Sequence, residues 1–178
     1  MSTAQLDLTT DPTQRQHNEA PARGGKYLTF RLDDVEYGLE ILKVREINGL
    51  TGITAVPRMP EYITGVINLR GKVIPVIDLR LKFGMIRGEH TEQTCVIVVD
   101  VGQDVGIMVD TVSEVLDIAD GAIEPAPAMG ATVDTSFILG MGKINEQVKI
   151  LLDIERVVDV AELRQIADHV DPGAPART

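Results

Sequence analysis

The chain repeats itself, and the repeat limits what it can fold into. Tyr62-Ile63-x-Gly65 recurs as Phe137-Ile138-x-Gly140, and Val73-x-x-Val76-Ile77-Asp78-Leu79 as Val148-x-x-Leu151-Leu152-Asp153-Ile154, both 75 residues downstream. Gly38-Leu39-x-Ile41 with Val44 and Glu46 recurs 68 residues on, as Gly106-Ile107-x-Val109 with Val112 and Glu114. Loops holding Pro57 and Pro60, and then Pro125 and Pro127, fall between the matched blocks in both copies. The blocks are short runs rich in β-branched residues and bounded by turn residues, which is the pattern of strands. Hairpins this short must close up or pair to protect their edges. The expected fold is therefore mainly β, as two similar barrels of about five strands.

The stretch Tyr62 to Phe83 shows the pattern most clearly. Two apolar runs, Ile63 to Leu69 and Val73 to Leu79, flank Arg70-Gly71 and predict a hairpin. Pro75 cannot donate to a ladder and is expected at an edge or a bulge, and Asp78 is placed to cap a short helical turn through Phe83. Upstream, Tyr27 to Leu32 and Val35 to Ile41 predict a hairpin about Asp33-Asp34, with Leu42-Lys43-Val44 as a helical turn. Downstream, Cys95 to Val99 and Gly106 to Val109 predict a third hairpin, and Phe137 to Ile154 a fourth about Asn145-Glu146. Asp159-Val160-Ala161-Glu162 has the form of a capping box and opens an amphipathic C-terminal α-helix over 159–170. Residues 1–25 carry almost no large apolar side chains and residues 171–178 carry none, and both are expected to be tails.

Charge and composition exclude several classes of function. A net charge of −10 argues against nucleic acid and anionic lipid as partners, which call for clustered Lys and Arg. Aromatic residues are only 3%, too few for stacking platforms, and the single cysteine rules out an internal disulfide. No apolar run reaches membrane-spanning length and the N-terminus lacks a signal peptide pattern, so a cytoplasmic protein without membrane insertion is expected. His17, His90 and His169 stand in the tail, the linker and the terminal helix with no ligand or triad spacing. Cys95 opens an apolar strand, as a small hydrophobe does. No catalytic residue, metal site or cofactor motif emerges, and a protein partner is favoured.

Two charges stand out from the apolar pattern. Arg70 sits at the tip of the most apolar hairpin, and Glu46 lies inside the block Ile41 to Leu50. Each is either a solvated charge on a turn or edge, or one half of a pair. Facing one another beside Val44, they would orient a partner at the rim of an apolar groove. Gly65 and Gly140, at equivalent points of the repeat, either permit close strand packing or touch a partner.

Tyr37-Gly38-Leu39-Glu40-Ile41-Leu42-Lys43-Val44-Arg45-Glu46-Ile47, followed by the run from Gly65 to Arg80 with its NLRG and PVIDLR blocks, closely resembles the CheW family of bacterial chemotaxis coupling proteins. The resemblance continues through Val109-Asp110-x-Val112-Ser113-Glu114-Val115 and Pro125-Ala126-Pro127 to Leu151-Leu152-Asp153-Ile154, and so covers about residues 26–158. It implies two SH3-like five-stranded barrels packed together, at about 26–86 and 93–158. It further implies a non-enzymatic adaptor joining the cytoplasmic helical hairpin of chemoreceptors to the regulatory domain of the histidine kinase CheA. Carried over by motif position, Val44, Glu46, Arg70, Val112 and Val115 would border the receptor surface. Gly65 and Gly140 would lie near partner contacts, and the loop with Met129 would be a candidate for kinase-side contacts. The resemblance also implies a monomer when isolated, recruited from the cytoplasm to ring-like, membrane-associated receptor arrays.

Overall fold

The computed structural model describes residues 24–50, 52–127, 136–158, 161 and 163. The expected tails apart from Gly24 and Gly25, of which Gly25 already opens the first strand, the loop with Met129, and the expected helix over 159–170 apart from Ala161 and Leu163 lie outside the described residues. Eleven strands are present among the described residues: β1 (Gly25–Leu32), β2 (Val35–Glu40), β3 (Val44–Gly49), β4 (Ile63–Leu69), β5 (Lys72–Asp78), β6 (Cys95–Asp100), β7 (Asp104–Val109), β8 (Thr111–Ile118), β9 (Ile123–Glu124), β10 (Ile138–Ile144) and β11 (Gln147–Leu152). A 3-10 turn, Ile41–Lys43, links β2 to β3 where a helical turn was expected. Among the described residues no helix is long and apolar enough to cross a membrane.

The strands form two sheets, in the orders β8-β1-β2-β11-β10-β9 and β3-β6-β7-β5-β4, and the mainly β fold of two packed SH3-like barrels is as expected. Neither copy of the repeat owns a sheet, however. The β1-β2 hairpin joins β11 in parallel, with Gly38 opposite Leu151, while the β6-β7 hairpin joins β5 in parallel, with Gly106 opposite Val76. Each sheet thus takes a hairpin from one copy and a later set of strands from the other. The repeated glycine has a steric reason: a Cβ at Gly38 would lie 2.8 Å from Leu151 Cδ2, and one at Gly106 would lie 2.7 Å from Val96 Cγ1.

Other matched positions have matched geometry. The register slips between Ile63 and Gly65 against β5, and between Ile138 and Gly140 against β11. Both hairpins turn through two residues of positive φ, Arg70 (55°) with Gly71 (84°), and Asn145 (50°) with Glu146 (67°), the turn whose twist suits paired strands. The Asp78 and Asp153 carboxylates then accept from the backbone N–H of Arg80 (3.0 Å) and Glu155 (3.2 Å), capping the helical turns Leu79–Lys82 and Ile154–Val157. Pro75 lies in β5, an interior strand, where the sequence predicts an edge or bulge. It is accommodated because the β7 ladder begins one residue later, at Val76.

The main core lies between the sheets and joins residues of both, among them Phe30, Leu39, Ile77, Ile97, Ile107 and Leu152. Four of the chain's six Tyr and Phe residues stack in one row through it. Phe30 and Tyr37 are 5.7 Å apart, Tyr37 and Phe83 5.7 Å, and Phe83 and Phe137 5.1 Å. Burial pushes the Tyr37 hydroxyl above its ordinary pKa, with help from Asp33. Cys95, expected to be buried, is half-buried against this core, its thiol 3.1 Å from the Gln93 carbonyl.

Two ion-pair nodes join segments from the two copies. Arg80 places Nε 2.7 Å and Nη2 2.6 Å from the Asp110 carboxylate, Nη2 also 2.7 Å from Asp33, and Nη1 3.1 Å from the Ile86 carbonyl. Partial burial acts to raise the Asp110 pKa, but the hydrogen bonds from Arg80 and from the Asp33 N–H outweigh it and hold the carboxyl below its usual range. At the second node, buried Lys149 on β11 donates to Glu36 on β2 at 2.6 Å.

Candidate partner-binding site

β3 and β4 stand at opposite edges of the five-stranded sheet. Even so, Arg70, in the turn between β4 and β5, donates through Nη2 to the Glu46 carboxylate on β3. The sheet therefore curls until its edges approach, and this ion pair spans the seam. Asn68 shapes the turn that carries Arg70, its side-chain oxygen accepting from the Gly71 N–H at 2.8 Å.

The fold gives little reason for an arginine at that point. Its left-handed backbone costs a non-glycine residue about 1–2 kcal/mol. Its side chain is 72% exposed, and a surface ion pair returns only about 0–1 kcal/mol. The turn itself requires the left-handed backbone, as at Asn145 in the matched hairpin, so what the fold leaves without a reason is the choice of an arginine there.

Apolar groups surround the pair's strand. Val44 is half-buried against the main core, Leu42 is 93% exposed on the 3-10 turn, and Ile47 is 42% exposed. Beside Leu42 a cleft is lined by Glu40, Lys43, Asp100, Gly102 and Glu155, drawn from both sheets. Lys43 Nζ lies 2.5 Å from the Glu155 carboxylate, and that hydrogen bond raises the lysine above its ordinary pKa.

Of the site residues named from sequence, Glu46 and Arg70 meet, and Val44 lies two residues from Glu46 on the same strand. Val112 and Val115 stand on β8, an edge strand of the six-stranded sheet, where Val112 is half-buried and Val115 is 49% exposed. Gly65 and Gly140 are buried within their strands. A Cβ on Gly65 would lie 2.2 Å from the Thr54 carbonyl oxygen, where Thr54 bridges Val66, so close packing accounts for glycine there. Met129 lies outside the described residues.

Sequence reasoning missed a second set of charges beside the pair. Arg45 Nη2 is 2.9 Å from Asp100 and its Nε 2.6 Å from Asp104, which lies 3.5 Å from Lys72 at the base of the β4-β5 turn. A trace of this was present: adjacent charges within one strand, Arg45 and Glu46, cannot both face solvent in an unbroken pleat.

The CheW-like domain family model matches residues 26–162. Chemotaxis protein CheW of Klebsiella aerogenes is 43% identical over 148 residues, covering 83% of this chain and 89% of that protein. Chemotaxis protein CheW of Bacillus subtilis is 36% identical over 132 residues, covering 74% and 83% respectively. Among solved structures, the crystal structure of the scaffolding protein TtCheW from Thermoanaerobacter tengcongensis is similar with a TM-score of 0.71 at 37% identity, covering 78% of this chain and 95% of that one. Motif blocks, paired sheets and relatives agree, and the chain belongs to the CheW-like domain family.

Proposed function

We propose that this chain links the cytoplasmic tips of chemoreceptors to the regulatory domain of the histidine kinase CheA, without chemistry of its own. A chemotaxis adaptor role accords with its family, and the receptors would recruit the chain from the cytoplasm to membrane-associated arrays. The observation that carries it is the Glu46–Arg70 pair, set on a strained turn beside Val44, Leu42 and Ile47. An α-helical partner laid there would bury apolar side chains worth about 1.5–3 kcal/mol each when fully covered, while the charges set its register. Val112 and Val115 extend the receptor surface onto β8, Gly140 and the loop with Met129 belong to the kinase side, and Gly65 serves the packing of its strand.

Amide-shift titration of the labelled protein tests this, first with a receptor cytoplasmic fragment and then with the kinase regulatory domain. Both should bind, on separable surfaces, with Val44 and Arg70 perturbed by the receptor. Glu46→Arg and Arg70→Glu should each weaken receptor binding in a folded protein, and the double exchange should partly restore it. Undiminished binding by both single reversals would return the two residues to solvated charges.

A further inference from the structure

Arg45 has no cross-strand partner. From Val44 to Glu46, β3 advances two residues while its partner strand moves one, from Val99 to Val98, so Arg45 is the extra residue of a β-bulge. Cross-strand partners share a face of a sheet. Val44 goes with Val99 to the main core, and Glu46 goes with Val98, whose side chain belongs to the cluster on the other face together with Leu69. Residues two apart in an unbroken strand point the same way. The inserted residue is what parts Val44 from Glu46 and leaves the carboxylate on the side of the β4-β5 turn.

The inserted side chain is itself gripped. Asp100 and Asp104, a cross-strand pair at the end of the β6-β7 hairpin, hold its guanidinium from Nη2 and Nε, and Asp104 also reaches Lys72, two residues after Arg70. Adjacent residues of β3 are thus each tied to the end of the β4-β5 hairpin, Glu46 directly and Arg45 through Asp104. We propose that Arg45 is a positioning residue: clasped by Asp100 and Asp104, it fixes the bulge that turns Glu46 off the core side and onto Arg70. Its bearing on receptor binding rests on the function proposed above.

The experiment uses the full chain and two readouts. One is the order parameter of the Arg70 Nε–H, measured without any partner, and the other is affinity for a receptor cytoplasmic fragment. Arg45→Ala should lower the order parameter and weaken binding roughly three- to tenfold, the scale of effects from residues that touch no ligand. Arg45→Lys, which keeps the charge, should recover most of both. Asp104→Asn, which removes one anchor of the clasp, gives the same test should Arg45→Ala fail to fold. An Arg70 side chain as ordered in these variants as in the parent overturns the proposal. A loosened Arg70 with unchanged affinity upholds the positioning role and defeats the recognition site instead.

Discussion

Replacing Gly65 with alanine separates packing from contact at a position where the sequence allows either. The backbone there has φ of +153°, and the added Cβ would sit 2.2 Å from the Thr54 carbonyl oxygen and 2.9 Å from Ile53 Cγ2. That is more than 1 Å inside ordinary contact, so the segment carrying Thr54 must recede. Receding breaks the two 2.8 Å bonds that Thr54 exchanges with Val66. Two such bonds contribute about 2 kcal/mol net, and backbone strain at a glycine-only conformation adds about 1–3 kcal/mol. The stiffer unfolded chain returns about 0.4–1 kcal/mol. The loss should be about 3 kcal/mol, a large share of the roughly 5–15 kcal/mol that holds a domain together. Urea unfolding followed by circular dichroism would show the midpoint falling by about 1.5–2 M for a slope near 1.5–2 kcal/mol per M. Gly71→Ala is the control: its φ is +84° but nothing stands within 4 Å of the added carbon, so only strain, about 1–2 kcal/mol, should appear. Equal losses in the two variants would refute the close approach as the reason for glycine. If Gly65 acts through packing, the folded fraction of Gly65→Ala should still bind the kinase domain with parental affinity.

Arg70→Gly should hold stability within about 1 kcal/mol, because relief of the left-handed backbone offsets loss of an exposed ion pair, while receptor affinity falls. Thermal melts and titration together check this, and a destabilisation above about 2 kcal/mol would mean that the pair serves the fold. The lowered pKa of Asp110 means that its pairing stabilises the fold above the unfolded carboxyl value, near pH 4, and that this contribution is lost as pH falls through the folded value. Asp110→Asn should therefore lower stability at neutral pH by about 1–3 kcal/mol and flatten its decline below about pH 4. An acid profile parallel to the parent's would show that the Arg80 node carries no linkage.

What the sequence displayed was local. The four hairpins, a helical turn ahead of β3 and the cap at Asp78 follow from alternation and turn chemistry over a few residues. The apposition of Glu46 and Arg70 was legible as one of two alternatives, because an unexplained charge in an apolar block needs a partner or solvent. The choice of neighbour for each hairpin was hidden. β5 against β7 and β11 against β2 are parallel pairings of apolar strands, and periodicity says that a strand is covered without saying by which other strand. The Arg80 node was hidden for the same reason, since Asp33, Arg80 and Asp110 converge only once those hairpins have crossed. The bulge at Arg45 left only the trace of adjacent charges at Arg45 and Glu46, because which residue stays unpaired depends on the pairing of β3 with β6.

The crossing of hairpins has a consequence for how such a chain could arise. Two copies of one half, each lending its first hairpin to the other's sheet, would make every parallel pairing seen here without being covalently joined. The chain thus has the topology of a domain-swapped dimer fused end to end. The two copies differ at this turn, which carries Arg70 and Gly71 in one and Asn145 and Glu146 in the other, all at positive φ. An architecture built on symmetry is in this way able to present two different faces.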